Sequence, residues 1–168
     1  MRTILHQQQQ KLLEQECKLK PKLRTFLLFK VFDEPAAYVG KPLSFHQRRI
    51  IAKTRLGCLP LRIETGRYTR PRLREEERTC LVCRAECLLE ASEANVMYPV
   101  ESEAHFIFDC AGYESERDHW LGQLILPENF TDLGTAEKLK IVLNLGSNVR
   151  ATAQFILGAL HKRSRLLN

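Results

Sequence analysis

Residues 79–83, TCLVC, and residues 105–110, HFIFDC, decide how this chain is read, because together they offer three cysteines and a histidine at metal-ligand spacing. Two thiolates separated by two residues can turn back onto one ion through a tight loop. A His and a Cys separated by four residues sit about one helical turn apart and can close a tetrahedron. Cys80, Cys83, His105 and Cys110 are therefore the predicted ligands, and zinc is the ion that a CCHC set predicts. The middle spacing is long, with 21 residues from Arg84 to Ala104 between the halves. Cys87 also has an allowed ligand spacing from Cys83, so either pair could anchor the ion; the Cys80 and Cys83 pair is preferred, with Cys87 as its substitute.

The six cysteines (Cys17, Cys58, Cys80, Cys83, Cys87, Cys110) could instead form three disulfides in a secreted protein, or stand singly as structural residues. The opening MRTILHQQQQKLLEQE turns polar after two aliphatics, too short for a signal-peptide core, and no stretch approaches a membrane span. The expectation is an intracellular chain, in nucleus or cytoplasm, with reduced thiols and no membrane partner. Cys17 and Cys58 lie far from the cluster and read as apolar fillers.

At 168 residues and 44% hydrophobic content the chain can bury one core plus a metal-stapled segment that packing alone would not hold. Its net charge of +6 is unevenly spread: residues 1–79 carry 18 Lys and Arg against 8 Asp and Glu, residues 80–168 carry 8 against 12. Between Lys41 and Arg74 ten cations face one acid, Glu64. Such a density can neutralise a row of phosphates, or can be a solvated face with no ligand. The candidate contacts are Arg48, Arg49, Lys53, Arg67, Tyr68, Arg70, Arg72 and Arg74, cations interleaved with one aromatic as in single-strand binding. Glu64 reads as a salt-bridge partner of Arg55 or Arg67 rather than as a catalytic acid.

The periodicity is helical nearly throughout. Residues 1–20 form a predicted N-terminal helix, with Leu5, Leu12 and Leu19 at sevens and Ile4 and Leu13 beside them, and Pro21 ends it. KLRTFLLFKVF carries Leu23, Phe26, Leu27 and Lys30 with Phe29 between, the spacing of a buried face. Ser44 caps FHQRRIIAKTRLG, with Phe45, Ile50 and Ile51 inward, Arg48, Arg49, Lys53 and Arg55 mostly outward, and Gly57 closing it. Leu59, Leu61 and Ile63 alternate as a short extended piece that turns at Thr65-Gly66. Beyond the ligands, Tyr113 to Leu126 places Trp120, Leu121 and Leu124 on one face, with Trp120 read as core. A helix from about Thr135 carries Leu139, Val142 and Leu143, and a last one, Asn148 to Leu166, carries Val149, Ala153, Ile156 and Leu160 inward. Its terminal cations suit the helix dipole, and His6, His46, His119 and His161 read as solvated.

The predicted fold is thus mainly α: a helical domain with an inserted CCHC zinc-knuckle-like subdomain and at most short strands, near Leu59 to Ile63 and beside the metal loop. The predicted organisation is an N-terminal helix (1–20), a basic helical region and turn (21–79), the zinc segment (80–110) with a long loop at 84–104, and C-terminal helices (111–168), in one compact unit. Arg84 to Pro99 is expected to be the most mobile interior stretch.

Several of these stretches carry a family resemblance. KLRTF at Lys22, RIIAKTRLG at Arg49, LPLRIETGRY at Leu59, ERTCLVC and VESEAHFIFDC resemble the C-terminal zinc-binding region of non-LTR retrotransposon reverse transcriptases, over most of residues 20–165. The likeness runs through Cys80, Cys83, Glu101, Glu103, His105 and Cys110, and continues at Tyr113 and Arg117. It implies a zinc-binding, retrotransposon-derived module that helps a polymerase hold template RNA or target DNA. The spacer from Arg84 to Pro99 exceeds the family's usual length.

No adjacent aspartate pair occurs, so the carboxylates of two-metal nucleotidyl transfer are missing. Nor is there a Gly-rich phosphate loop, HExxH, GxSxG or deaminase signature. The expectation is a non-catalytic zinc module that binds RNA or single-stranded DNA with low sequence specificity; the alternative is a protein-interaction scaffold with a purely structural zinc.

Overall fold

The computed structural model describes residues 8, 11–12, 15–17, 19–20, 25–29, 36, 38–89, 97–144 and 146–167, with 86–89 described by their backbone. Seven helices are named: α1 (Phe26–Phe29), α2 (Phe45–Arg55), α3 (Arg62–Thr65), α4 (Leu81–Leu89), α5 (Glu114–Leu121), α6 (Thr135–Asn144) and α7 (Val149–Leu166). Among the described residues there is no sheet, only an antiparallel bridge between Thr79 and Val100. The mainly α architecture is as the periodicity predicts. None of the described helices is long and apolar enough to cross a membrane.

The 18-residue α7 is the central post, and α2, α5 and α6 pack against it. Its buried positions Val149, Thr152, Ala153, Phe155, Ile156 and Ala159 recur at three and four, so one stripe meets all three neighbours. Trp120 of α5 stacks on Phe155 with centroids 4.4 Å apart and planes 4° apart, and its indole N–H donates to Thr152 Oγ1 at 3.3 Å. That partner is what allows an indole to be buried to 2% exposure. Leu139, Val142 and Leu143 of α6 are buried as expected.

Helix α2 starts and stops where its sequence says. Ser44 Oγ accepts from Gln47 N, and Gln47 Oε1 accepts from Ser44 N, a reciprocal capping box. Gly57 ends it with a φ of 66°, a conformation that favours glycine. Two side chains correct the predicted face: Phe45 is 71% exposed, whereas Arg55 is buried. Phe45, Arg49 and Leu56 share the outer face, while Ile50, Ile51, Thr54 and Arg55 are buried. The Arg55 guanidinium lies 4.6 Å from the Phe29 ring centroid and donates to Phe29 O and Leu143 O, both at 3.4 Å, and to Asn144 Oδ1. Burial lowers its pKa, and the aromatic and carbonyl cage replaces the water it loses. Cys58 is exposed rather than a filler; Cys17 is buried.

Leu59, Leu61 and Ile63 are buried, as their alternation predicts, but the extended piece ends at Leu61 and Arg62–Thr65 form a helical turn. Gly66 follows because space demands it: a Cβ there would lie 2.7 Å from Arg78 Cγ and 2.8 Å from the Arg62 carbonyl oxygen. Arg78 crosses this glycine to donate to Ile63 O at 3.1 Å and twice to Leu73 O, at 2.8 and 3.2 Å, closing the base of the 66–74 loop.

The predicted loop at 84–104 is corrected in its first part, where α4 continues to Leu89. Residues 90–96 of the expected mobile stretch lie outside the described residues. So do Ile4, Leu5, Leu13 and most of the predicted N-terminal helix, while Leu12 and Leu19 are exposed. Leu23, Lys30 and His6 also lie outside the described residues. The helix predicted from Tyr113 to Leu126 is shorter, ending at Leu121, with Gly122 as its cap.

Candidate metal centre

The bridge at Thr79 and Val100 sets the first ligand pair. Cys80 N donates to Pro99 O at 2.8 Å, and Glu101 N donates to Arg78 O at 2.9 Å, so the two arms of the site are tied before either ligand is reached. Cys80 immediately precedes α4 and Cys83 lies in its first turn, where unpaired helix N–H groups favour negative sulfur. The Cys83 N–H bonds toward the Cys80 sulfur, and the Ala111 N–H toward that of Cys83.

The second pair needs an unusual turn. An α-helix advances about 100° per residue, so ligands five positions apart would diverge by about 140°. Residues His105–Asp109 instead form a π-type turn in which Cys110 N donates to His105 O at 2.8 Å. That wider i→i+5 turn returns Cys110 over His105. Ser102 Oγ accepts from His105 N at 3.2 Å and fixes the turn's start, while Arg117 Nη1 donates to Cys110 O at 2.8 Å and fixes its end.

The four donor atoms of Cys80, Cys83, His105 and Cys110 all lie within 4.8 Å of one another. Cys80 Sγ is 3.8 Å and Cys83 Sγ 3.6 Å from Cys110 Sγ, and Cys83 Sγ is 3.4 Å from His105 Nε2. A tetrahedron with metal–sulfur bonds of about 2.3 Å has sulfur–sulfur edges of about 3.8 Å, so these spacings fit one ion at the centre. Cys80 and Cys110 are fully buried, His105 is buried, and Cys83 is half-buried. The group can hold a metal ion. The Cys87 side chain lies outside the described residues.

Electrostatics point the same way. The Cys80 thiol is drawn down to about 4, first by its hydrogen bond with Cys110 and against the cost of burial. Cys83 is pushed up to about 11 by burial and then by the charge at Cys80, and Cys110 is pushed above the ordinary thiol range, first by its hydrogen bond to Cys80. Without a cation the pocket admits one negative charge and resists the next two. A dication removes that repulsion, which is the condition for three thiolates to share 4 Å.

A buried ion pair braces the centre. Glu101, fully buried, accepts from Arg163 Nε and Nη2 at 2.7 and 2.8 Å and from Arg62 N at 2.6 Å. Burial alone would lower the Arg163 pKa, but the carboxylate overrides it and the guanidinium is held more firmly charged. Glu103 is buried too. Arg163 gives no local sequence signal for this role, since 62 residues separate it from Glu101 and its place near a helix end already accounts for a cation. Tyr113 is fully buried, edge-on to Phe106 at 5.0 Å, and its hydroxyl has no hydrogen-bond partner among the described residues. Burial and then the charge at Cys110 push its pKa up. Tyr113→Phe should therefore leave stability unchanged or raise it by up to about 1 kcal/mol, read by urea denaturation. A loss above about 1 kcal/mol would mean that the hydroxyl is bonded through water.

The eight predicted nucleic-acid contacts divide. Arg67 pairs with Glu64, Nε to Oε2 at 3.3 Å, one of the two alternative partners expected of that acid, and Tyr68 donates to Glu64 Oε1 at 3.1 Å with its ring exposed. Arg74 pairs with Glu76 and Glu77 of its own turn. Arg48 donates to Val39 O and Leu43 O. Arg49, Arg70 and Arg72 are exposed and Lys53 half-buried, and none of these four makes an ion pair among the described residues. His46, His119 and His161 are exposed, as expected of solvated histidines.

No protein-family model, curated protein or solved structure matches the chain.

Proposed function

We propose that this chain is a non-catalytic zinc module that binds single-stranded or structured nucleic acid through its basic segment. The observation that carries the metal half is the closed donor set: three sulfurs and one imidazole nitrogen, spaced as tetrahedral edges, with three of the four ligand residues buried. Tetrahedral S and N donors select zinc among biological divalent ions, and four protein ligands leave no open position for substrate. The zinc then supplies the charge that holds three thiolates together; Cys80, Cys83, His105 and Cys110 hold it, and the Glu101–Arg163 pair orients the loop that carries two of them.

The nucleic-acid half rests on Arg49, Lys53, Arg70 and Arg72, cations that pair with no acid among the described residues, with the exposed Tyr68 ring between them in sequence. Arg67 and Arg74 are held by acids and contribute less. The motif resemblance to the zinc-binding region of non-LTR reverse transcriptases supports the same reading, with the polymerase carboxylates absent. Four phosphate contacts on a single strand would make log affinity fall with log salt at a slope near –3, from about –0.7 per contact. Fluorescence anisotropy with labelled oligonucleotides of unrelated sequence should return that slope for each. Reversing Arg70 and Arg72 to Glu together should weaken all of them alike and flatten the slope. Absence of binding at about 50 mM salt with micromolar protein would leave a zinc-stabilised protein scaffold instead.

A further inference from the structure

The metal centre is not uniformly sealed. Cys80 and Cys110 are fully buried and His105 is 7% exposed, whereas Cys83 is half-buried, the one sulfur-bearing ligand that solvent reaches. Its sulfur is also 3.6 Å from Cys110 Sγ. A reactant entering from solvent therefore meets one sulfur first, and that sulfur has a second within bond-forming reach after a shift of about 1.6 Å toward a disulfide length. We propose that Cys83 is an oxidation site for hydroperoxides, and that its oxidation closes a Cys83–Cys110 disulfide which expels the metal. This rests on the zinc reading above.

The steps balance. Cys83 sulfur attacks one peroxide oxygen; the S–O bond forms, the O–O bond breaks, and the departing hydroxide takes a proton from a buffer acid to become the first water, leaving a sulfenic acid. Cys110 sulfur then attacks Cys83 sulfur; the S–S bond forms, the S–O bond breaks, and the second oxygen leaves as hydroxide, which a second buffer proton converts to water. The two sulfurs have lost two electrons and one peroxide has become two waters. Only Cys80 and His105 remain as donors, half a tetrahedral shell, so the ion is released. A thiol reductant with fresh zinc reverses the change. Exposed Cys58 lies 3.5 Å from Leu56 O and belongs to no metal-binding group among the described residues, so it provides no such outlet.

The test uses the full chain loaded with zinc and titrated with hydrogen peroxide, with a chromogenic chelator reporting released metal and peptide mass spectrometry mapping the linkage. One zinc released per disulfide, with the bridge between Cys83 and Cys110 and recovery on reduction, is the expected result. Because Cys83→Ser is itself a ligand variant, the control is Cys17→Ser with Cys58→Ser, which should release zinc with unchanged stoichiometry. Zinc retained through the oxidation of Cys83, or a bridge to Cys80 or Cys87, overturns the proposal while leaving the zinc reading intact. Protein that takes up no zinc before peroxide is added overturns both.

Discussion

Removing the metal should unfold the segment from Thr79 to Cys110 and lower the melting temperature of the whole chain by at least about 10 °C. One β-bridge, a π-type turn and the first turn of α4 converge on the four donors with no sheet behind them among the described residues, and the segment's other anchors are the Glu101–Arg163 pair and the buried Val82, Phe106 and Ile107. Structural zinc sites bind with apparent free energies of about 10–16 kcal/mol, and binding that occurs only in the folded state is folding free energy. Even half of that, at about 2–4 °C per kcal/mol for a chain of this size, gives the stated shift. Circular dichroism melts with and without chelator measure it, alongside elemental analysis expecting one zinc per chain. Cys80→Ser should mimic the chelator, because its sulfur is buried and no solvent-borne ligand can replace it. Cys87→Ser should leave metal content unchanged. A chelated protein that melts as before would sink the structural role.

How much of this was legible beforehand depends on whether the determining contact is local. The ligand set was readable because CxxC and HxxxxC are short-range patterns whose spacing limits their geometry. The Ser44 cap, the Gly57 stop and the inward stripes of α6 and α7 were readable for the same reason, since periodicity and capping act within a few residues. The failures lie where tertiary packing overrides local preference. Arg55 was read as solvent-facing because it is charged, yet the ring of Phe29 and the carbonyls of distant residues cage it. Phe45 was read as core because it is apolar, yet the turn it occupies faces away from α7. The start of the long spacer reads as loop from its place between the two ligand pairs, although LVCRAECLL has ordinary helical composition and forms α4. The π-type turn was not foreseen, but the five-residue step from His105 to Cys110 carries its signal: an α-helical turn would not bring them together.

Glu101→Gln should cost about 3 kcal/mol, the second largest effect expected of a single substitution. Gln keeps the shape and can still accept the Arg62 N–H, but it leaves the Arg163 guanidinium charged with its carboxylate gone. Breaking a buried pair from one side costs roughly 3–5 kcal/mol, because a desolvated charge is stranded, and the lower figure suits a partner whose side chain is 13% exposed. The melting temperature should fall by about 6–12 °C. Combining Glu101→Gln with Arg163→Met should recover much of the loss, since the stranded charge is then absent, and the double-mutant cycle isolates the pair. Position matters as much as charge. Glu101 joins the Arg62 turn, the Arg78 backbone carbonyl and α7 four residues before His105, so its carboxylate is the strap between the metal loop and the central helix. Loss of the strap and loss of the metal should therefore be less than additive: in chelator-treated protein, where the loop is already released, Glu101→Gln should cost well under half of its full effect. Full additivity would mean that the ion pair stabilises α7 independently of the metal centre.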